Sequence, residues 1–244
     1  MQPAVVIQEK LERILLRVQK PGRYVGGELN QIVKLWNQVK THVALVFPDI
    51  YDLGISNLGL AILYDTLNKR DDVLAERAYS PWVDMEEIMR DHHIPLFSLE
   101  SKHPLSQFDI LGISLPYENL YTNALNILDL AEIPLFSSER GTFHPLVIAG
   151  GHSAFNPEPM ADFIDAFVIG EGEEVIHEIV NIHQKNKNEK SSRKQLLLDL
   201  SKIWGVYVPS LYETSHNPDG TIQSIKNKYP DIPATITKRI VAKL

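Results

Sequence analysis

His42 to Asn68 reads HVALVFPDIYDLGISNLGLAILYDTLN, and the order of its parts decides the fold. Val43-Ala44-Leu45-Val46-Phe47 is a continuous apolar run, the pattern of a strand covered on both faces. A turn rich in Pro48, Asp49, Asp52 and Gly54 follows, and from about 57 to 69 the apolar residues recur at helical spacing. Strand, loop and helix in that order form the first half of a β-α-β unit. The pattern repeats downstream, with strands at about 73–78, 109–114, 145–149 and 165–169 and helices at 82–92, 118–131 and 172–185. Leu146-Val147-Ile148-Ala149 is a second uninterrupted apolar run. These signals predict an α/β fold, a doubly wound, mostly parallel five-stranded sheet whose ligands bind at the C-terminal ends of the strands.

Outside this region the signals change. Ile7, Leu11, Ile14, Leu15 and Val18 mark an amphipathic helix over Val5–Val18, and Pro21-Gly22 stops it. RYVGGE (23–28) reads as a loop and Leu29 to Val39 as a second helical stretch, so residues 1–40 form a helical lead-in to a domain spanning 41–186. Lys185 to Lys194 (KNKNEKSSRK) reads as an exposed connection to a short helix near 195–203. Val206–Thr214 and Thr221–Tyr229 are expected strands, joined across Asn217-Pro218-Asp219-Gly220, where Pro sets one φ and Gly admits φ > 0. With the basic, extended Thr235–Leu244, residues 187–244 make a connecting helix, a short β extension and a linker.

Composition narrows the function. At 244 residues and 44% hydrophobic, the chain can bury a sizeable core. A net charge of -7 provides no overall basic field, so direct nucleic-acid binding is not expected. Neither a run of about 18 apolar residues nor a secretory leader is present, which predicts a cytoplasmic location without membrane association. The absence of cysteine excludes thiolate nucleophiles, disulfides and Cys-held zinc or iron–sulfur centres within these residues.

Four loops at strand C-termini carry the candidate site. The first, Pro48 to Gly59, offers Asp49, Tyr51, Gly54 and Ser56; the second places Ser114 at a strand end with Tyr117 close behind. In the third, Gly150-Gly151 removes side chains where a ligand or another backbone comes close, ahead of His152 and Asn156-Pro157-Glu158-Pro159. The fourth, Gly170-Glu171-Gly172-Glu173-Glu174, opens a helix whose free N–H groups favour ligand oxygens, with Glu171 able to hold a hydroxyl. Each loop also has a plain structural reading, as a turn, a cap or a set of carboxylates matched to a helix dipole. Asp71-Asp72, Asp84/Glu86/Glu87 and His92-His93 read as solvated faces.

In combination the loops are more specific. Asp49, Tyr51 and Gly54 stand at the spacing of the Asp-x-His-x-x-Gly loop of cobalamin-binding domains, and the Gly-Gly…Asn-Pro-Glu-Pro…Gly-Glu-Gly-Glu series resembles the vitamin B12-binding domain of cobalamin-type radical S-adenosylmethionine (SAM) proteins. RYVGGE (23–28), FPDIYDLGISNLGLAILYDTLN (47–68), ERAYSPWVDMEE (76–87), PLFSLES (95–101), FDILGISLPYENLYTN (108–123) and AGGHSAFNPEPMADF (149–163) extend the resemblance to one uncharacterised subfamily of radical SAM proteins, over nearly the whole chain. The resemblance implies a flavodoxin-like, cobalamin-binding type of sheet. It also implies a separate radical SAM domain as partner, carrying the Cys-x-x-x-Cys-x-x-Cys motif, the [4Fe-4S] cluster and S-adenosylmethionine.

Carried onto this chain, the resemblance puts Asp49, Tyr51, Gly54 and Ser114 under a corrin and Gly150, Gly151, Glu171 and Gly172 near its nucleotide tail, with Ser56 a further cofactor-binding residue. Two residues depart from the pattern. Tyr51 replaces the axial histidine, and a phenol with a reference pKa of about 10 is a poor cobalt ligand at neutral pH. Ser114-Leu115 are adjacent where the pattern has Ser-x-Leu. The expected function is therefore a cobalamin-binding accessory domain of a radical SAM enzyme, a methyltransferase or a relative, that is not catalytic alone. The alternatives are a degenerate domain for docking or substrate recognition, and another doubly wound module taking a free nucleotide or flavin.

Overall fold

The computed structural model describes residues 3–241. Its strands are β1 (Thr41–Phe47), β2 (Val73–Tyr79), β3 (Ile110–Ser114), β4 (Leu146–Gly150), β5 (Ala166–Val168), β6 (Val206–Tyr207), β7 (Tyr212–His216) and β8 (Ile222–Asn227). The helices are α1 (Pro3–Ile14), α2 (Gly22–Val25), α3 (Tyr51–Gly54), α4 (Leu58–Asn68), α5 (Val83–Asp91), α6 (Tyr121–Leu130), α7 (Val175–Glu189) and α8 (Arg193–Leu200). Six strands form one sheet in the order β2-β1-β3-β4-β5-β6, with the first five parallel and β6 antiparallel, while β7 and β8 make a separate hairpin.

The order β2-β1-β3-β4-β5 is that of flavodoxin-like sheets, with its switch point between β1 and β3. The crossover β1-α4-β2 runs one way along the sheet and the later ones run the other way. Right-handed connections therefore put α4 on one face and α5 and α6 on the opposite face. Arg90 on α5 bonds Asp129 on α6 at 2.8 Å, and α7 packs beside α4. Covered on both faces, β1 is buried at six of its seven positions, which is why its sequence is apolar without alternation.

Several expected elements differ. The sheet has six strands rather than five, because Val206 and Tyr207 pair with Val168 and Phe167. The run read as one strand over 206–214 breaks at Pro209, which has no N–H for a ladder; β7 begins only at Tyr212. Leu29–Val39 is not helical apart from one 3-10 turn at Trp36–Gln38. Tertiary bonds hold it instead: the Ile32 N–H donates to Tyr64 Oη at 2.8 Å, and Lys34 Nζ caps the carbonyl oxygens of Asn68, Arg70 and Val73 near the end of α4. RYVGGE begins within α2 rather than as a loop, and α7 runs to Glu189, so the connection to α8 is only Lys190–Ser192. Helix α8 starts at Arg193 and ends at Leu200, slightly earlier than expected. Thr235–Val241 does not hang free, since Arg239 bridges to Gly170 beside β5; the rest of that stretch, 242–244, lies outside the described residues.

Candidate functional site

A cavity of about 260 Å³ lies between the sheet and the α4/α7 layer, at the C-terminal ends of the strands. Leu45, Gly112, Ile113 and Ile148 form its sheet side, Gly59, Leu60 and Leu63 of α4 one wall, and Val175 and Ile176 of α7 the other. Ser114, Gly150, Gly151 and the turn Gly170–Glu173 surround the mouth. A largely apolar slot with a few polar groups at one end suits a flat ligand portion of mixed character.

Five of the nine residues expected to hold a cofactor line this cavity: Ser114, Gly150, Gly151, Glu171 and Gly172. Asp49, Tyr51, Gly54 and Ser56 are not among its lining residues. Asp49 Oδ1 accepts the Ile50 N–H at 2.7 Å, closing its own turn, and Ser56 Oγ donates to the Leu53 carbonyl at 3.3 Å. Tyr51 meets Tyr79 edge-on, with ring centroids 5.4 Å apart. Gly54 is glycine for the same packing, because a Cβ there would sit 2.5 Å from the Tyr79 ring. Burial first, then Glu28, pushes the Tyr51 phenol up to about 12, so it stays protonated at neutral pH.

The two central glycines do different things. Gly150 has room beside it, with Val168 Cβ 3.8 Å from a built Cβ. Gly151 has φ +107°, and a Cβ there would meet the Leu115 carbonyl oxygen at 2.7 Å, so of the two close approaches the sequence allowed, it is a neighbouring backbone that lies against Gly151. Glu171 accepts the Val241 N–H through its carboxylate, a partner inside the chain.

Sequence reasoning missed Gly112, Leu60, Leu63 and Glu173. A glycine inside an apolar strand was the available signal for Gly112, because such a residue marks a close approach. Leu60 and Leu63 look like any helix core positions and become a wall only through the packing of α4 against α7. Glu173 lines the cavity and carries a buried carboxylate oxygen without a hydrogen-bond partner among the described residues. Its position at a helix start hid this behind the dipole reading.

Among the described residues there is no group of three metal-holding side chains, and no helix is long and apolar enough to cross a membrane. The chain is 28% identical over 190 residues to an uncharacterized protein of Methanocaldococcus jannaschii, covering 72% of this chain and 36% of that protein. It therefore spans about a third of the curated relative it matches. Two solved structures are similar. One is the radical SAM methyltransferase TsrM from Kitasatospora setae with cobalamin and a [4Fe-4S] cluster bound, at TM-score 0.43 and 13% identity, covering 79% of this chain and 31% of that one. The other is the same enzyme with tryptophan substrate and a SAM analogue, at TM-score 0.42 and 12% identity, covering 80% and 31%. Residues 59–209, more than half of the sequence, match the family described as radical SAM proteins, N-terminal, and the chain belongs to that family.

Proposed function

We propose that this chain is the cobalamin-binding N-terminal module of a radical SAM enzyme, and that the α4/α7 cavity takes the nucleotide tail of the corrinoid. The observation that carries the reading is the cavity itself, which opens at the ligand-binding edge of the sheet and is lined by Ser114, Gly150 and Gly172. At about 260 Å³ it fits a heteroaromatic base and not a corrin ring. The macrocycle would lie outside, over the strand ends near Tyr117 and Phe155, which are 45% and 50% exposed.

When bound, the corrinoid supplies a cobalt centre able to carry a methyl group. The chain's own residues bind and orient it. Leu60, Leu63, Val175 and Ile176 exclude water from the tail, and the Ser114 hydroxyl and Glu173 carboxylate offer polar contacts at the mouth and wall. Tyr51, packed on Tyr79 with its phenol protonated, supplies no cobalt ligand. The cluster, SAM cleavage and substrate belong to a radical SAM domain elsewhere in the parent protein, and methyl transfer is the reaction class this reading favours.

Titration with hydroxocobalamin, followed by absorbance, tests the proposal. Saturable binding is expected and should be lost in Gly150→Leu, which fills the mouth where a side chain has room to stand. Circular dichroism unchanged from wild type would show that this variant is folded. Failure of both this chain and a longer protein with the radical SAM domain to bind would overturn the reading. The alternative, a docking or substrate-recognition domain, draws support from Asp49, Tyr51 and Gly54, which serve internal packing. It predicts no corrinoid binding in either protein.

A further inference from the structure

The segment Lys238–Val241 meets the Gly170–Glu173 lip of the cavity, and one residue in it holds that lip. Arg239 donates its N–H to the Ile169 carbonyl at 2.8 Å and accepts the Glu171 N–H on its own carbonyl at 3.2 Å, so its backbone brackets Gly170. Its guanidinium bonds Glu174 at 2.9 Å and Glu178 at 2.6 Å, both at the start of α7, and lies 5.2 Å from the Trp204 ring centroid. Arg239 is only 8% exposed. Beyond it, Lys238 Nζ stands 5.7 Å from the ring centroid of Phe155, in the loop that follows Gly150-Gly151.

The fit is built into the backbone. Gly170 has φ +116°, and a Cβ there would overlap the Arg239 backbone; Gly205 has φ +85°, and a Cβ there would lie 2.9 Å from Arg239 Cβ. Two left-handed glycines thus admit the same residue. The lip also needs a cation. Glu171, Glu173, Glu174 and Glu178 put four carboxylates within eight residues. Gly170 before them and Gly172 among them leave the turn loose, and the carboxylates repel one another.

We propose that Arg239 is a positioning residue for the cavity: by clamping Gly170–Glu178 it sets the width of the slot that receives the planar end of a ligand. It touches no ligand itself and acts through the Gly170–Glu173 turn and the first turn of α7. The choice of ligand for the test rests on the cobalamin reading, but the clamp is measurable without it.

The experiment compares wild type with Arg239→Ala, and with Glu174→Gln/Glu178→Gln, which removes the negative charge of the guanidinium's two partners at half-exposed positions. Amide hydrogen exchange over 170–176 should accelerate at least about tenfold in both variants while β1 and β3 keep their protection. Affinity for hydroxocobalamin should fall about tenfold, as when a supporting residue is lost, while tail-less dicyanocobinamide binds as before. If Arg239→Ala fails to fold, the double variant carries the test. Unchanged exchange over 170–176 in a folded variant overturns the proposal, as does equal weakening of both corrinoids. Should neither wild type nor the longer protein bind a corrinoid, the cobalamin reading falls, and the exchange result alone decides the clamp.

Discussion

Asp165 shows how a single side chain orders the sheet edge opposite the cavity. Its carboxylate is fully buried and accepts from Arg140 at 3.1 Å, from Arg193 at 2.7 Å and from the Val147 N–H at 2.7 Å. Two guanidinium groups thus converge on one carboxylate between the starts of β4 and β5, and removing its charge leaves them under-compensated in a low-dielectric site. Asp165→Asn should cost about 3–5 kcal/mol, the range for breaking a buried ion pair. Urea unfolding checks this, and a loss below about 1 kcal/mol, the level of an exposed pair, would show that the site is effectively solvated. Asp49 and Tyr51 work at the same scale, as turn and packing residues.

Helix α4 forms one wall of the cavity, and its start depends on one cap. Asn57 Oδ1 accepts the Leu60 N–H at 2.9 Å, while Leu60, Tyr64 and Leu67 bury the inward face. Asn57→Ala should lower stability by about 1 kcal/mol through the orphaned N–H. Because Leu60 is both the capped residue and a wall of the slot, the same variant should weaken hydroxocobalamin binding; a thermal melt and a titration on one sample separate the two effects. The far end of α4 is closed from outside the helix by Lys34, so the stretch expected to be a second lead-in helix serves as an extended strap. Helical propensity over Leu29–Val39 is a weak preference, and three tertiary hydrogen bonds from one ammonium outweigh it.

Across the molecule, the titrating groups predict an acid limb. Burial alone would raise Asp109, but hydrogen bonds from His42 and Lys187 outweigh it and pull the carboxyl down to about 2. Asp72, held chiefly by Arg70, is also lowered to about 2. Between their ordinary value of 3.8 and 2 the unfolded chain binds protons that the folded chain does not, so stability is lost as pH falls through that window. Other groups act at higher pH, in opposite directions. Burial, then His42, lowers His103 from 6.5 to about 4, which costs stability as pH falls; burial, partly offset by Arg77, raises Glu100 from 4.5 to about 7, which adds stability as pH falls. Burial lowers His177 and His183 too, so three histidines act against Glu100: the urea midpoint should fall gently as pH falls from 7 to 5 and steeply below pH 4. His103→Asn should shrink that gentle fall between pH 7 and 5, leaving His177 and His183 opposed by Glu100; an unchanged profile would remove the His103 assignment.

The apolar runs at Val43–Phe47 and Leu146–Ala149, alternating with helical periodicity, were enough by themselves to specify a parallel α/β sheet. A strand buried on both faces has little choice of residue, so the pattern is written locally. The turn glycines and the family resemblance were legible for the same reason. Tertiary structure decided the rest. A two-residue strand such as Val206–Tyr207 has no periodicity to read, and its pairing with β5 depends on a partner nearly 40 residues away. The cavity exists because α4 and α7 pack side by side over Gly112, and Arg239 acquires its role only where the chain returns to Gly170 and Gly205. Contacts between distant segments leave their mark on spacing within neither, which is why the site's edge was readable in the sequence and its walls were not.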